Sequence, residues 1–287
     1  ALCDMRGNEI GMIFQEPMTA LNTVQSIGAQ VAETLTIHGR ASRPEAWAKA
    51  RECLDRVGLQ QISAERFPHE LSGGQRQRVC IAAAIALRPK LLIADEPSTA
   101  LDVTTQAQIL ELLKGLVDED GMALLLITHD LGVIAQVAAR VAVMKDGEIV
   151  EQGLTEEVLR ARRHAYTRQL MGDYARQPAR RARPAGEVLL MAENVSQSYP
   201  GQRRGFLRRD PPVEAVKSVS LELCAGESLG LVGGSGCGKS TLARALMGLD
   251  LVTGGRITLA GQPVSPSMSP EARSSIQIVF QDPFGSF

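Results

Sequence analysis

The sequence lacks the features that mark secreted, zinc-binding or membrane-spanning proteins. Its five cysteines are scattered through 287 residues without a C-x-x-C pair. That pattern argues against a disulfide framework or a zinc site and suits a reducing cytosol. The longest unbroken apolar run, residues 79–87, is far too short to cross a bilayer. No secretory signal is visible either.

A strong excess of either charge is also missing. The formal net charge is −1, which argues against a broad nucleic-acid surface, so no nucleic-acid partner is expected. Hydrophobic residues make up 44% of the chain and charged residues 22%, as is ordinary for a soluble globular protein. The length suits one large domain or two small ones.

A glycine-rich stretch in the last third of the chain fits the P-loop pattern G-x-x-x-x-G-K-[ST]. Its residues are Gly233, Gly234, Ser235, Gly236, Cys237, Gly238, Lys239, Ser240 and Thr241. A strand is predicted before it over residues 228–232 and a helix after it over residues 241–248, which is the context that the motif requires. Backbone N–H groups would then face phosphate oxygens, Lys239 would reach the β- and γ-phosphates, and Ser240 would ligate Mg²⁺. The alternative, a turn that merely ends a strand, is disfavoured because both flanks fit.

A second candidate site lies where two predicted parallel strands end. The strand over residues 91–95 ends in Asp95 and Glu96, and the strand over residues 123–127 precedes His129. Open α/β sheets keep their chemistry at the carboxyl ends of strands. One carboxylate can hold Mg²⁺ through water, the other can polarise an attacking water, and the histidine is a functional candidate. A solvated strand end would explain one acid more easily than two.

The sequence Leu71-Ser72-Gly73-Gly74-Gln75 begins a predicted helix that runs to residue 87. Ser72 is a good N-cap, and the glycines leave backbone N–H groups uncovered. The segment is therefore either a capped helix start alone or a second anion cradle, and spacing does not decide between them. Asp102 stands before another predicted helix, over residues 103–117.

The remaining elements alternate between apolar strands and amphipathic helices. Strands are predicted at residues 10–14, 188–195, 213–223, 256–259 and 275–280, with two helices within residues 24–58 and a hairpin turning at Asp146-Gly147. Residues 160–186 are rich in arginine and poor in large apolar side chains, which predicts a basic linker. A solvated spacer is favoured there over a segment that meets acidic lipid or a partner.

One short element occurs twice. Gly-Met-Ile-Phe-Gln-Glu-Pro at residues 11–17 recurs as Gln-Ile-Val-Phe-Gln-Asp-Pro at residues 277–283. Gln15 and Gln281 occupy the same place in the two copies. This internal repeat is the most informative feature of the chain's organisation.

Together these motifs resemble the ATP-binding subunits of ABC transporters. The resemblance implies an α/β P-loop NTPase of the ABC ATPase type, with a helical subdomain and an antiparallel β subdomain, that binds and hydrolyses ATP. It implies roles for particular residues: Glu96 as catalytic base, His129 as switch histidine, Ser72, Gly73, Gly74 and Gln75 as signature motif, Asp102 in the D-loop, Tyr199 stacked on adenine, and Ser240, Asp95 and either Gln15 or Gln281 at Mg²⁺.

Finer features resemble one subfamily, the dipeptide, oligopeptide and nickel importers. These features are residues 14–22 and His164-Ala165-Tyr166-Thr167, where Ala165 replaces the proline usual in the subfamily. The subfamily implies import of peptides or similar small solutes, with membrane permease subunits and a solute-binding protein as partners. It also implies a peripheral place on the cytoplasmic face of the bacterial inner membrane. The alternatives are a non-transport ABC ATPase in translation or DNA repair, or an inactive fragment.

Motif order predicts the domain organisation. Residues 1–159 resemble the C-terminal part of a first ATPase domain, residues 160–186 a linker, and residues 187–287 the N-terminal part of a second domain, as in fused double ATPases. Both chain ends are then expected to lie within domains. Lys239 could face residues 72–75 across a head-to-tail dimer of ATPase domains. Alternatively, the two parts could form one circularly permuted ATPase domain, with Lys239 beside Glu96.

Overall fold

The computed structural model describes residues 2–15, 20–99, 101–175, 186–201, 203–204, 208–209, 211–234 and 236–279. The chain divides into two compact units, Ala1–Gln177 (unit 1) and Pro178–Phe287 (unit 2). Unit 1 contains a parallel sheet with helices, and unit 2 an antiparallel sheet, which agrees with the predicted α/β class. Among the described residues no helix has the length and apolar character needed to cross a membrane.

Three parallel strands form the sheet of unit 1, namely β1 (Ile10–Ile13), β2 (Leu91–Asp95) and β3 (Ala123–Ile127). They lie in the order β1-β2-β3, with Ile10 opposite Leu91 and Leu91 opposite Ala123. The connection from β2 to β3 runs through the helix Val103–Asp120 (α5). The predicted strands and their parallel arrangement are therefore confirmed, and their carboxyl ends meet at one edge.

Burial of this sheet is more one-sided than the apolar sequence of its strands predicts. Ile13, Leu92 and Ala94 are fully buried in the main core, but Leu125 and Ile127 of β3 are 50% and 44% exposed. Side chains alternate between the two faces of a strand, so a core on one face covers every second residue. The apolar strand β3 is therefore covered by the core on one face, and the side chains of Leu125 and Ile127 lie on the other.

Helices supply the rest of the core of unit 1. These are α1 (Leu2–Met5), α2 (Ile27–Ile37), α3 (Arg43–Arg56), α4 (Gly73–Ile85) and α5, with a 3₁₀ turn at Pro68–Glu70. Pro44 lies in the first turn of α3, where its missing N–H has no helical partner to lose. Ser72 caps α4 as predicted, because its side chain accepts the N–H of Gln75.

A hairpin and three short helices follow β3. They are α6 (Leu131–Val137), β4 (Arg140–Lys145), β5 (Glu148–Leu154), α7 (Thr155–Ala161) and α8 (Ala165–Ala175). The turn carries positive φ at Asp146 and Gly147, 50° and 85°, as the predicted tight hairpin requires.

Helix α8 corrects the interpretation of a solvated spacer for the described part of residues 160–186, which ends at residue 175. Glu151 of β5 accepts the N–H groups of Arg163 and His164 at 2.9 and 3.0 Å, which holds the start of the helix against the hairpin. Thr167 is fully buried there. The arginine-rich composition of the whole segment did not reveal this helix, because α8 itself contains one arginine, Arg168.

Unit 2 is built on a four-stranded sheet in the order β11-β10-β6-β9, with antiparallel pairs. Its elements are β6 (Val188–Tyr199), β7 (Arg203–Arg204), β8 (Arg208–Arg209), β9 (Val213–Cys224), α9 (Lys239–Leu246), β10 (Gly254–Leu259), β11 (Gln262–Pro263) and α10 (Pro270–Ser274). Leu242 and Ala245 of α9 join the core formed by β6, β9 and β10. The short antiparallel pair β7–β8 lies between β6 and β9 in the chain.

Two predicted strands of unit 2 are not formed. Residues 228–232 have no strand conformation, and Leu229, Leu231 and Val232 are 52%, 51% and 93% exposed. Residues 276–279 are likewise irregular, and residue 280 and those after it, including Gln281, lie outside the described residues. A strand needs a neighbour to pair its backbone N–H and C=O groups. Among the described strands of unit 2, none pairs with either segment.

A glycine in β1 yields a test of the packing in unit 1. A Cβ at Gly11 would lie 2.4 Å from the carbonyl oxygen of Ala84, so we expect Gly11→Ala to lower the unfolding free energy by about 1–3 kcal/mol. Gly115, in α5, has nothing within 4 Å of such a Cβ, so Gly115→Ala should raise it by about 0.5–1 kcal/mol. Urea unfolding followed by Trp47, the chain's single tryptophan, reports on unit 1. Equal stability of the two variants would contradict the close contact.

Candidate functional site

Glu96 directly follows β2 in an unusual backbone conformation. Its φ is 44°, in the left-handed region that residues with a Cβ seldom adopt. Its N–H donates to the carbonyl oxygen of Ile127 at 2.9 Å, which ties the end of β2 to the end of β3. Strain of this kind persists where the surrounding structure holds it, and it is common at functional sites.

Three side chains converge on the Glu96 carboxylate. Gln15 Nε2 donates to Oε2 at 3.1 Å and Thr99 Oγ1 donates to the same oxygen at 2.7 Å. The Nδ1 atom of His129 lies 2.9 Å from Oε1. Gln15, Glu96 and His129 were all site candidates in the sequence, and the strand order β1-β2-β3 brings them together.

Thr99 was missed by the sequence analysis. It lies three residues after Glu96, and its N–H also donates to the Glu96 carbonyl oxygen at 3.1 Å. The signal was present, because a hydroxyl three residues beyond a carboxylate in a turn can reach back to it.

Electrostatics favour the ionised forms of Glu96 and His129. Hydrogen bonds from His129, Thr99 and Gln15 hold the pKa of Glu96 below its ordinary value. The same carboxylate raises the pKa of His129. The Glu96 side chain is 21% exposed and that of His129 is 75% exposed, so the carboxylate is the more sheltered partner and remains open to a small reactant.

Two further acidic candidates have different surroundings. Asp95 is the last residue of β2 and is partly buried. Asp102 is the N-cap of α5 and accepts the N–H of Thr105 at 3.1 Å and its hydroxyl at 2.8 Å. Asp102 therefore has a structural role that accounts for its position before the helix.

The glycines after Ser72 allow two helix starts to approach each other. A Cβ at Gly74 would lie 2.6 Å from Cγ2 of Thr105, and one at Gly73 would lie 3.5 Å from Cδ2 of Leu101. Ser72 and Gln75 also form a capping box, since the N–H of Ser72 donates to Gln75 Oε1 at 3.0 Å. This packing supports the interpretation as a capped helix start and leaves the anion cradle as a prediction.

In unit 2 the P-loop curls around its own lysine. Lys239 Nζ donates to the carbonyl oxygens of Gly233 and Gly234 at 2.6 and 2.7 Å. Gly236 and Gly238 have φ of 75° and 98°, and a Cβ at Gly238 would lie 2.1 Å from the carbonyl oxygen of Ala215. Glycine is therefore required at position 238 both by the positive φ and by the close approach to the Ala215 carbonyl. Ser235 lies outside the described residues.

The groups around this loop are those that a triphosphate with Mg²⁺ requires. Helix α9 begins at Lys239, two residues earlier than predicted, so Ser240 and Thr241 lie in its first turn with Ser240 exposed. A lysine ammonium, hydroxyls and N–H groups at a helix start match phosphate and magnesium chemistry. Among the described residues there is no cluster of three or more His, Cys, Asp or Glu that could hold a metal ion.

Tyr199 ends β6 and is 39% exposed. Its hydroxyl donates to Oδ2 of Asp250 at 3.3 Å. Asp250 in turn accepts two hydrogen bonds from Arg244 of α9, at 2.8 and 2.9 Å. The aromatic candidate is thereby connected to the helix that begins with Lys239.

The Glu96–His129 pair predicts a pH-dependent contribution to the stability of unit 1. Stability from the lowered pKa of Glu96 is complete above its ordinary value of 4.5 and is lost as pH falls. Stability from the raised pKa of His129 is complete below its ordinary value of 6.5 and is lost as pH rises. We therefore expect the difference in unfolding free energy between wild type and Glu96→Gln to be largest between these values, as measured by Trp47 fluorescence in urea.

Glu119→Gln is the matched control for that measurement. The Glu119 carboxylate pairs with Arg56, which stays charged across this pH range. The contribution of this ion pair to the unfolding free energy should therefore not decline as pH rises through the titration of His129. A Glu96→Gln difference that is flat across this range would contradict the ion pair.

Comparisons with known proteins agree with the motifs. The family model described as ABC transporter matches residues 3–99 and 216–286, more than half of the chain. The glutathione import ATP-binding proteins GsiA of Escherichia coli K12, Shigella boydii serotype 4 and Shigella flexneri are each 45% identical over 314 residues. These alignments cover 98% of this chain and 50% of each relative, so the chain spans about half the length of the curated relatives it matches.

A solved structure is also similar, the dimeric post-hydrolysis state of the ATP-binding cassette MJ0796 bound to ADP and Pi. It is 36% identical, with a TM-score of 0.48, over 54% of this chain and 66% of that chain. Because the family model matches more than half of its residues, the chain belongs to the ABC transporter family.

Proposed function

We propose that this chain is part of an ATP-binding subunit that binds and hydrolyses ATP to power the import of peptides or similar small solutes through an ABC transporter. The observation that carries the proposal is the Glu96 carboxylate, held by Gln15, Thr99 and His129 where three parallel strands end. Membership of the family supports ATP as the substrate. The relatives are named as import proteins, which favours transport over a role in translation or DNA repair.

The chemistry proposed for the cluster is the attack of water on the γ-phosphate. Glu96 is ionised at neutral pH, since even its ordinary pKa of 4.5 lies well below 7, and its carboxylate can orient the water and accept its proton. His129, whose pKa the carboxylate raises, can donate a hydrogen bond to the charge that develops on the phosphate oxygens.

The binding of the nucleotide is assigned to the remaining candidates. Lys239 and the N–H groups of residues 233–241 would hold the phosphates, and Tyr199 would stack on adenine. Ser72, Gly73, Gly74, Gln75 and Asp102 would contact nucleotide held by the P-loop of a second ATPase domain. Mg²⁺, which neutralises phosphate charge, would be held by Ser240 and by Gln15 or Gln281, with Asp95 acting through water.

The domain organisation belongs to the same proposal. Residues 1–159 would come from a first ATPase domain and residues 187–287 from a second, with the connection between them in residues 160–186. One alignment that includes 98% of the chain supports this order, as does the element repeated at residues 11–17 and 277–283. A cross-link between Lys239 and Glu96 would favour the circularly permuted arrangement, and one between Lys239 and Ser72 would favour the head-to-tail dimer.

Partners follow from the proposed import. These are permease subunits, a solute-binding protein and a second ATPase domain, with the subunit peripheral on the cytoplasmic face of the bacterial inner membrane. Co-purification with permease subunits rather than with ribosomes would support this assignment.

Replacing Glu96 by glutamine separates binding from chemistry. We expect Glu96→Gln to keep the ATP affinity within about twofold and to reduce turnover by about 100-fold or more, because the amide cannot accept a proton. Phosphate release and nucleotide titration measure the two effects. Glu119→Gln, in an exposed ion pair with Arg56, should change neither. Full turnover in Glu96→Gln would refute the proposed base.

Cys237 allows a chemical test of the P-loop. It is exposed, whereas Cys53, Cys80 and Cys224 are buried, and burial raises the pKa of Cys80 to about 12. In a Cys3→Ser background, we expect a maleimide to label Cys237 and block ATP binding, and ATP to slow the labelling. Cys237→Ser should bind ATP and resist the reagent. Labelling at the same rate with and without ATP would contradict the proposed phosphate site.

A further inference from the structure

Three side chains from different parts of unit 2 form a continuous hydrogen-bonded chain. The Tyr199 hydroxyl donates to Asp250 Oδ2 at 3.3 Å, and Arg244 Nε donates to the same oxygen at 2.8 Å. Arg244 Nη2 donates to Oδ1 at 2.9 Å, so both carboxylate oxygens are occupied. A guanidinium fork that engages both oxygens of a carboxylate fixes its orientation better than a single bond does.

The backbone around Asp250 is held independently. The N–H of Leu249 donates to the Arg244 carbonyl oxygen at 3.0 Å, which closes the turn after α9. The N–H and the hydroxyl of Thr253 both donate to the Ser196 carbonyl oxygen, at 2.9 and 3.0 Å. The turn is thereby attached to β6 three residues before Tyr199, so Asp250 is a fixed acceptor.

The ion pair is partly sheltered from water. The Asp250 side chain is 18% exposed and that of Arg244 is 48% exposed. Arg244, and then the Tyr199 hydroxyl, hold the pKa of Asp250 below its ordinary value, so the carboxylate is charged whenever the chain is folded near neutral pH. A phenol that donates to a carboxylate forms a stronger bond than one that donates to a neutral group.

We propose that Asp250 and Arg244 are positioning residues that hold the Tyr199 ring in place for the base of the bound nucleotide. The inference rests on the proposed function, in which Tyr199 stacks on adenine. Arg244 lies five residues after Lys239 on α9, about 7.5 Å along the helix axis. One helix thus carries both the lysine for the phosphates and the arginine that orients the base-stacking ring.

The expected consequence is a loss of base recognition without a loss of phosphate recognition. Asp250→Ala should weaken the binding of ATP about fivefold, because the ring loses its fixed orientation, and leave the binding of inorganic tripolyphosphate unchanged. Tyr199→Phe, which keeps the ring and removes the hydroxyl, should have the same effect. The double variant should be no weaker than either single variant, since both remove one interaction.

Glu193→Gln is the matched control. It removes another exposed arginine–carboxylate pair of the same unit, between Glu193 and Arg256, which does not contact Tyr199. Both affinities should stay at the wild-type values. If Asp250→Ala leaves ATP affinity unchanged, or weakens tripolyphosphate equally, the positioning role is overturned.

A measurement without nucleotide separates this inference from the proposed function. The chain has three tyrosines, so incorporation of 3-fluorotyrosine gives three ¹⁹F resonances, and Tyr199→Phe identifies one of them. Asp250→Ala should shift that resonance and Glu193→Gln should not. If the wild-type chain binds neither ATP nor tripolyphosphate, the proposed function fails, and the resonance still decides whether Asp250 holds the ring. An unshifted resonance in Asp250→Ala overturns the inference.

Discussion

Parallel pairing of β1, β2 and β3 is the constraint on which the candidate site of unit 1 depends. Gln15, Glu96 and His129 are far apart in the chain, and each follows a strand whose carboxyl end lies at the same edge of the sheet. The bond between Glu96 and the Ile127 carbonyl fixes the register at that edge. A slip of one residue would turn the strand's side chains to the opposite face and separate the cluster.

The sequence predicted the elements whose own residues carry a clear pattern or whose motif carries its own context. Strands β1 to β3 follow from their apolar runs, and Glu96 and His129 follow from their places at strand ends. The failures concern information that is not local. Residues 228–232 are as apolar as a strand requires, but strand formation depends on a neighbour that composition does not reveal. Thr99 is a different case, because its signal is local: its hydroxyl lies three residues after Glu96, where the turn places it on the carboxylate.

In unit 2 the P-loop is shaped by contacts to the sheet rather than by its own hydrogen bonds alone. Helix α9 has only eight residues, too few to be stable by itself, and it depends on Leu242 and Ala245 packing on β6, β9 and β10. Gly238 approaches the Ala215 carbonyl of β9 so closely that any side chain would displace the helix start. The arginine on α9 and the tyrosine at the end of β6 therefore belong to one packed assembly.

The contact between Gly74 and Thr105 makes the positions of two helix starts in unit 1, those of α4 and α5, depend on each other. Thr105 is bound twice by Asp102, and its methyl group fills the space where a side chain at Gly74 would stand. Because no free space is left between them, the first turn of α4 cannot move towards α5 without displacing Thr105. Asp102 therefore affects the start of α4 through Thr105, so a change in the position of its carboxylate has to be accommodated at Ser72, Gly73 and Gly74 as well.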